Sequence, residues 1–525
     1  IAQCLVGSEM CIRDRYSDTS TQSKNTYADA IATLNKSFND WSVNVNLGVS
    51  LSDSRYEMIG YEGGLKLINF FAVHNIDFNK AWKAKQSGWH DQTRAIFANA
   101  EIGWKSMIYL TATGRNDWDS RLAFSDYKSF FYPSIGLSAI LTSMFNAPDW
   151  LTYLKVRGSY TEVGNSYGRF MTTVTYPYDE QTQSWTSTSS YPNTKLKPER
   201  TKSWEVGLDA RILNDISLNL TYYRSNTYNQ TFYADLSLSS GYSNIPIQSG
   251  NIMNEGLEMS LGYNKQWKDF SFNTNYTLTW NKNRVKRLAD GVYNYATGQP
   301  IQMPELSPLT YGHTDARLIL RVGGSMGDVY GQRLLKRDLN GYILNEEGVG
   351  LAMENKETYL GSILPKMNMG WSLGFGYKGV NLGMTFTGRF GGIVISETQS
   401  VLDAAGVSKV SADVRDAGGV QINQSKVSAQ TYYQTIQGTA AYYTYSATNV
   451  RLGELSLSYT LPKKWFDNKV GMTVGLVGKN LWMIYCKAPF DPELTTSAAS
   501  NFYQGFDAYM LPSTRNFGFN VKFQF

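Results

Sequence analysis

Charge is scarce in this chain: of its 525 residues only 18% are Asp, Glu, Lys or Arg, against roughly a quarter in an ordinary soluble domain. The 49 basic and 44 acidic residues nearly cancel, to +5. They are too balanced and too evenly spread to form the one-sided basic footprint that nucleic acid requires, so nucleic acid is set aside as a partner. Three cysteines cannot build a disulfide framework. No run of 18 apolar residues occurs, which removes a transmembrane helix. It leaves open a transmembrane β-barrel, whose apolar positions hide in alternation and keep mean hydropathy low, here -0.34.

What the chain has in quantity is aromatic and small residues: 36 Tyr, 24 Phe, 13 Trp and 46 Gly. Residues 1–16 stand apart. Cys4 to Arg15 reads CLVGSEMCIRDR, without the basic start, apolar run or small-residue cleavage site of a signal peptide. It resembles a translated sequencing-adaptor segment, and residues 1–16 are set outside the fold as a non-native leader, with the barrel assigned to 17–525. A Cys4/Cys11 metal or redox pair is the weaker reading, because no second Cys or His pair lies nearby to complete a ligand set.

Period-two alternation dominates the rest. Ile216, Leu218, Leu220 and Tyr222 fall on one face, Ser217, Asn219 and Thr221 on the other. Trp41 to Ser52, Phe270 to Trp280 and Phe517 to Phe525 follow the same script. Fifteen such segments are expected, near 26–34, 41–53, 92–102, 107–117, 130–141, 152–162, 202–211, 216–224, 254–264, 270–281, 366–377, 380–390, 449–461, 469–481 and 515–525. They average about eleven residues, the length a tilted strand needs to cross a bilayer. Connections alternate between tight turns and long loops, the asymmetry of outer-membrane barrels with short periplasmic turns and long extracellular loops. Trp41, Trp104, Trp280, Trp371 and Trp465 are placed at or beside strand ends, at headgroup depth. The fold class is all-β, a transmembrane antiparallel barrel. Because unpaired backbone is costly in hydrocarbon and bacterial barrels close on even strand numbers, fifteen strands are expected to be part of a larger barrel.

Enzyme motifs fail on inspection. Gly323-Gly324-Ser325-Met326-Gly327 matches the nucleophile elbow, but the histidines are His74, His90 and His313 and none follows Ser325. Asp338-Leu339-Asn340-Gly341 echoes a calcium loop with its glycine too early, and is better read as a tight turn. No catalytic residue, cofactor or metal site is nominated. A passive porin and a secreted β-rich glycan-binding or adhesive protein remain the alternatives.

Several spaced motifs occur in order: RNDWDSRL (115–122), FYPSIGLSAIL (131–141), LKVRGSY then VGN (154–165), LKPERTKSWEVGLD (196–209), NIMNEGLEMSLGYN (251–264), LGELSLSYTLP (452–462), VGKNLW (477–482) and RNFGFNVKFQF (515–525). Together they resemble the C-terminal part of SusC/RagA-type TonB-linked outer-membrane transporters. Thr161 and Trp118-Asp119-Ser120 depart from the family's pattern in detail. The resemblance implies a 22-stranded barrel, of which these are the last fifteen strands, with the plug domain absent from this chain. It further implies TonB-driven import of oligosaccharides or peptides, in outer-membrane lipid, with a SusD-like surface lipoprotein as partner. Phe519, Val521, Phe523 and Phe525 would supply the barrel-assembly signal. Loops 282–365 and 391–448 are candidate lid and substrate contacts, with Tyr432, Tyr433, Tyr442, Tyr443 and Tyr445 placed to stack on sugar rings.

Overall fold

The computed structural model describes residues 14–525 apart from 81, 180–183, 249, 294–297, 304, 347–349, 468, 495 and 497–502. Cys4 and Cys11, with the rest of 1–13, lie outside the described residues. The dominant element is a single antiparallel sheet of fifteen strands in which each strand pairs with its neighbours in sequence. In chain order these are β1 (Arg15–Phe38), β2 (Trp41–Gly64), β3 (Trp82–Trp104), β4 (Ile108–Asp119), β5 (Phe130–Ile140), β6 (Leu151–Asn165), β7 (Glu199–Ile212) and β8 (Ile216–Tyr228). They continue as β9 (Asn251–Trp267), β10 (Phe270–Arg287), β11 (Met367–Tyr377), β12 (Val380–Phe390), β13 (Asn449–Leu461), β14 (Gly471–Cys486) and β15 (Asn516–Gln524). Each expected segment corresponds to one strand. β1 begins at Arg15, inside the segment assigned to the leader, and Arg15 and Tyr16 pair with Gly64 and Gly63.

The register turns alternation within a strand into continuous rows across the sheet. Phe375, Leu382, Leu457, Leu476 and Phe519 lie side by side on β11 to β15. Leu208, Leu220, Met259, Leu278 and Met369 do the same on β7 to β11. One residue along, Asn381, Ser458, Gly475 and Asn520 form a polar row on the opposite face. The sheet therefore has one apolar and one polar side, and among the described residues nothing covers Val206, Leu457 and Leu476 on the apolar side, which are exposed. A sheet that leaves its greasy face bare is built for lipid.

Aromatic rings edge that band. Trp41 and Trp104 face each other at 6.5 Å beside the tight turns, and Trp204 packs on Tyr222 at 5.4 Å towards the long loops. Trp371 differs from its expected place at a strand end. It sits inside β11 between Tyr276 and Phe386, where its indole N–H donates to Thr274 Oγ1 at 2.9 Å and so is satisfied within the band.

The turns at 39–40, 105–107, 213–215, 268–269 and 378–379 all lie at one end of the sheet. Several use left-handed residues, including Lys105 and Ser106 (φ 50 and 55°) and Leu213 and Asn214 (φ 52 and 61°), the backbone that matches the twist of paired strands. Gly256, expected at a bulge or a close approach, is the latter: a Cβ there would stand 2.6 Å from the Trp280 carbonyl oxygen and the Tyr223 ring. At the other end β1, β2 and β3 run well past Thr93–Asp119, the last pair between β3 and β4, and rise as a three-stranded ribbon above the wall.

Leu457→Arg, in the middle of the apolar band, is expected to cost about 2–4 kcal/mol, whereas Ser458→Arg, on the polar face, changes stability little. Urea unfolding of the full-length barrel in liposomes, followed by heat-modifiable gel migration, measures both; equal effects would contradict the assignment of faces.

Candidate functional site

The polar face carries its own side-chain network. Arg157 of β6 donates to Asp209 of β7 at 2.6 Å and to Thr221 of β8 at 2.6 Å, and the Asn219 amide also donates to Asp209. Thr33 donates to Asn46 and Asn46 to Asn44. Groups of this kind suit a water-filled lumen.

Above the wall the long connections fold into one body. Residues 288–366 contribute a four-stranded sheet (305–310, 317–321, 328–335 and 353–362). Residues 391–448 contribute three helices, α1 (Glu397–Ala404), α2 (Lys409–Asp416) and α3 (Ala429–Ile436), capped by Ser396, Ser408 and Ser428, whose hydroxyls accept from the third backbone N–H beyond them. A small sheet joins 393–396 to 444–446 and to 506–507, tying the last two long connections together. Phe232, Ile245, Leu318, Val329, Ile395, Ala440 and Phe506 share a single core, so four separate connections are fused.

Polar latches reinforce that core. The buried Glu397 carboxylate accepts from the backbone N–H of His313 at 3.3 Å and from the Tyr509 hydroxyl at 3.2 Å, and lies 3.0 Å from His313 Nδ1. Gly312 makes this possible, since it is left-handed (φ +50°) and a Cβ there would stand 2.0 Å from Glu397 Oε2. Ser396 donates to the buried Asp507 at 2.6 Å. At the root of the last long loop Arg451 grips Asp491 with two bonds, 3.0 and 2.8 Å, and its Nε donates to Asn449 at 3.2 Å. Burial alone would push the Asp491 carboxyl up, but the Arg451 fork and the Glu493 N–H outweigh it and hold the group below its ordinary value.

The five tyrosines expected to meet a ligand come together, but inward. Tyr433 and Tyr443 are buried with Leu335, Leu351, Ile422 and Ile436, and Tyr432, Tyr442 and Tyr445 pack around them half-buried. Tyr442 accepts from Leu335 N–H at 3.1 Å; Tyr445 meets Phe490 edge-on at 5.6 Å. Burial pushes the Tyr443 phenol up strongly and that of Tyr445 up to about 12. Phe519, Val521 and Phe523 are exposed along β15 and Phe525 just past its end; β15 pairs only with β14 among the described residues.

The Gly323–Gly327 segment is a turn leading into the strand at 328–335, not into a helix, so the elbow geometry is absent there. Met326 N–H donates to Asn283 at 2.7 Å, and Gly323 and Gly324 pair with Val285 of β10. Beside it a cavity of about 590 Å³ is lined by Lys282, Arg284, Asp328, Tyr359 and Lys366 together with Trp280 and Leu364, among others. Burial holds the Asp328 carboxyl above its ordinary value despite bonds from Ser325 N–H and the Tyr359 hydroxyl. Asp338, as expected, closes a tight turn: its carboxylate accepts from Asn340 and Tyr342 N–H, and Gly341 is left-handed. Two larger hollows, about 810 and 840 Å³, lie on β1 to β4 beside Val49, Ile96 and Trp118, on the lipid face.

Such a wall, with lipid on one side, a polar lumen on the other and a fused loop body at one end, defines an outer-membrane β-barrel. The sequence model described as "TonB dependent receptor-like, beta-barrel" matches residues 12–481, and the chain belongs to that family. It is 24% identical to TonB-dependent receptor P3 of Formosa agariphila, over 95% of this chain and 52% of that protein. It is 25% identical to TonB-dependent receptor SusC of Bacteroides thetaiotaomicron, over 45% and 22%. The structure of the RagAB peptide importer in the "open-open" state superposes with a TM-score of 0.74 at 18% identity, covering 97% of this chain and 55% of that one. The SusC/RagA likeness read from the motifs thus extends to the fold, and the chain spans about half the length of the curated relatives P3 and P39 that it matches. The family consists of receptors and transporters, not enzymes.

Replacing Arg451 with Met leaves Asp491 buried and unpaired, which is expected to cost about 3 kcal/mol and to raise hydrogen exchange in 487–494. Because the Asp491 value is lowered by folding, its contribution is full above about pH 4, the unfolded carboxylate value, and is lost as pH falls below it. Exchange protection of the parent loop that is flat from pH 7 to 5 and falls only below pH 4 is the expected profile.

Proposed function

We propose that the full-length protein imports oligosaccharides or peptides across the outer membrane, energised through TonB, with a SusD-like surface lipoprotein covering the fused loops. The observation that carries this reading is the common core of four long connections standing over a polar wall: a passive pore has no need to bind its outer loops into one body. The likeness to SusC and to a structure described as a peptide importer supports the substrate class. Uptake of fluorescent maltoheptaose and of a labelled tryptic peptide mixture, by cells expressing the full-length gene with the neighbouring lipoprotein gene, tests it. Accumulation of at least one probe that disappears when TonB is deleted is expected. Uptake that persists without TonB makes the protein a porin.

Two finer assignments belong to the same proposal. Tyr432 and Tyr445 retain partly open rings and are proposed to contact substrate, while Tyr433, Tyr442 and Tyr443 hold the loop that presents them. Tyr432→Ala with Tyr445→Ala is expected to weaken uptake affinity about tenfold, the loss of one to two kcal/mol of ring contact. Phe519, Val521, Phe523 and Phe525 are proposed as the assembly signal. Deletion of Phe525 is expected to lower the heat-modifiable, membrane-inserted fraction, and unchanged insertion would reject the assignment.

A further inference from the structure

On the lipid side of the wall, charge begins abruptly. Tyr222, Leu257, Trp280 and Met367 lie side by side on β8 to β11 as the last uncharged row. One row further from the short turns stand Trp204, Arg224, Glu255 and Lys282, and in the row after that Lys202, Asn226, Met253 and Arg284. These strands lie inside the sheet, with paired neighbours on both sides. Successive rows are two residues apart, about 7 Å along a strand, which at a tilt of roughly 45° is about 5 Å in height. Lys282 therefore stands about 5 Å and Arg284 about 10 Å above Trp280, and the headgroup layer of one leaflet is roughly 5–8 Å thick. Long basic side chains rooted at that level keep their charge among headgroups.

At the same level the ladder beside β10 changes partner. β11 starts at Met367, opposite Trp280. Above it the Asn281 N–H donates to the Lys366 carbonyl, and Val285 then pairs with Gly323 and Gly324. Between those two contacts the edge of β10 borders the cavity of about 590 Å³, a size that suits a small ligand. Trp280, Lys282 and Arg284, successive lipid-side residues of β10, line it together with Lys366. Arg284 and Lys366 form no ion pair among the described residues, and Lys282 has Glu255 at 3.7 Å. Asp328 is the one acid among the described lining residues, and both its oxygens are engaged, by the Ser325 N–H and the Tyr359 hydroxyl. Three cations gathered on one hollow call for an anion. Solute crossing the barrel passes the opposite face of the wall, whereas what meets Lys282 and Arg284 is lipid, and the anionic group that lipid carries at headgroup depth is phosphate.

We propose that this cavity holds the phosphorylated headgroup of an outer-leaflet lipid, with Lys282, Arg284 and Lys366 about the phosphate and the acyl chains running down the wall past Trp280. The test titrates the full-length receptor, purified in a neutral detergent, with monophosphoryl lipid A and with the same lipid stripped of its phosphate, and counts bound lipid by native mass spectrometry. The parent is expected to hold the phosphorylated lipid at least tenfold more tightly than the stripped one. K282Q/R284Q is expected to remove that preference with heat-modifiable migration unchanged, and K366Q to weaken it about threefold. R200Q/K202Q removes as much charge from the same side of the wall but outside the cavity, where Glu162 already pairs with both residues, and is expected to bind as the parent does. Equal binding of the two lipids by the parent overturns the proposal, as does a preference that survives K282Q/R284Q. An equal loss in R200Q/K202Q makes the attraction a diffuse surface charge and overturns the site. Inorganic phosphate that displaces the lipid at equal concentration assigns the cavity to a free anion and overturns the lipid as its occupant.

Discussion

Every peptide group in the spanning part of this chain must find its hydrogen-bond partner in another strand, because hydrocarbon offers none and each unpaired group there costs several kcal/mol. That constraint explains why fifteen strands pair in strict sequence and why the turns at one end are as short as two residues, such as 39–40 and 268–269. Pairing neighbours in sequence closes each hydrogen-bond ladder with the least chain. With the backbone committed, side chains are free to alternate, and alternation separates oil from water across one layer of protein.

Outside the bilayer the constraint lifts and a different economy takes over. The long connections can use water, so they form short strands, Ser-capped helices and a conventional hydrophobic core. Charge pairs appear there in buried form, as between Arg451 and Asp491. At this boundary a wall shaped by lipid meets a cap shaped by ordinary packing.

The wall was legible in the sequence because hydrophobic period two is a local signal, and all fifteen strands announce it. Their ends were less so. β1, β2 and β3 extend far beyond 26–34, 41–53 and 92–102, because above the bilayer both faces meet water and alternation fades, as in Thr26 to Arg15. Leu213 and Lys105 carry no turn chemistry, yet both are left-handed in tight turns. The cap was mostly illegible: Gly312 and Glu397 are far apart in sequence, as are Arg451 and Asp491, and nothing local foretells either pair. One signal was there to find, the Ser396-x-x-Gln399 spacing that starts α1. The tyrosine cluster was visible as a cluster, but composition does not say whether rings face a ligand or each other, and the structure turns Tyr433 and Tyr443 inward.

The shared core of the long connections has a mechanical consequence. Phe232, Val329, Ile395 and Phe506 belong to four different stretches of chain yet lean on one another, so none of those stretches can swing aside alone without tearing apolar contacts and latches from the rest. The four stretches therefore stand or fall as one unit, and a lesion in one will be felt by all four.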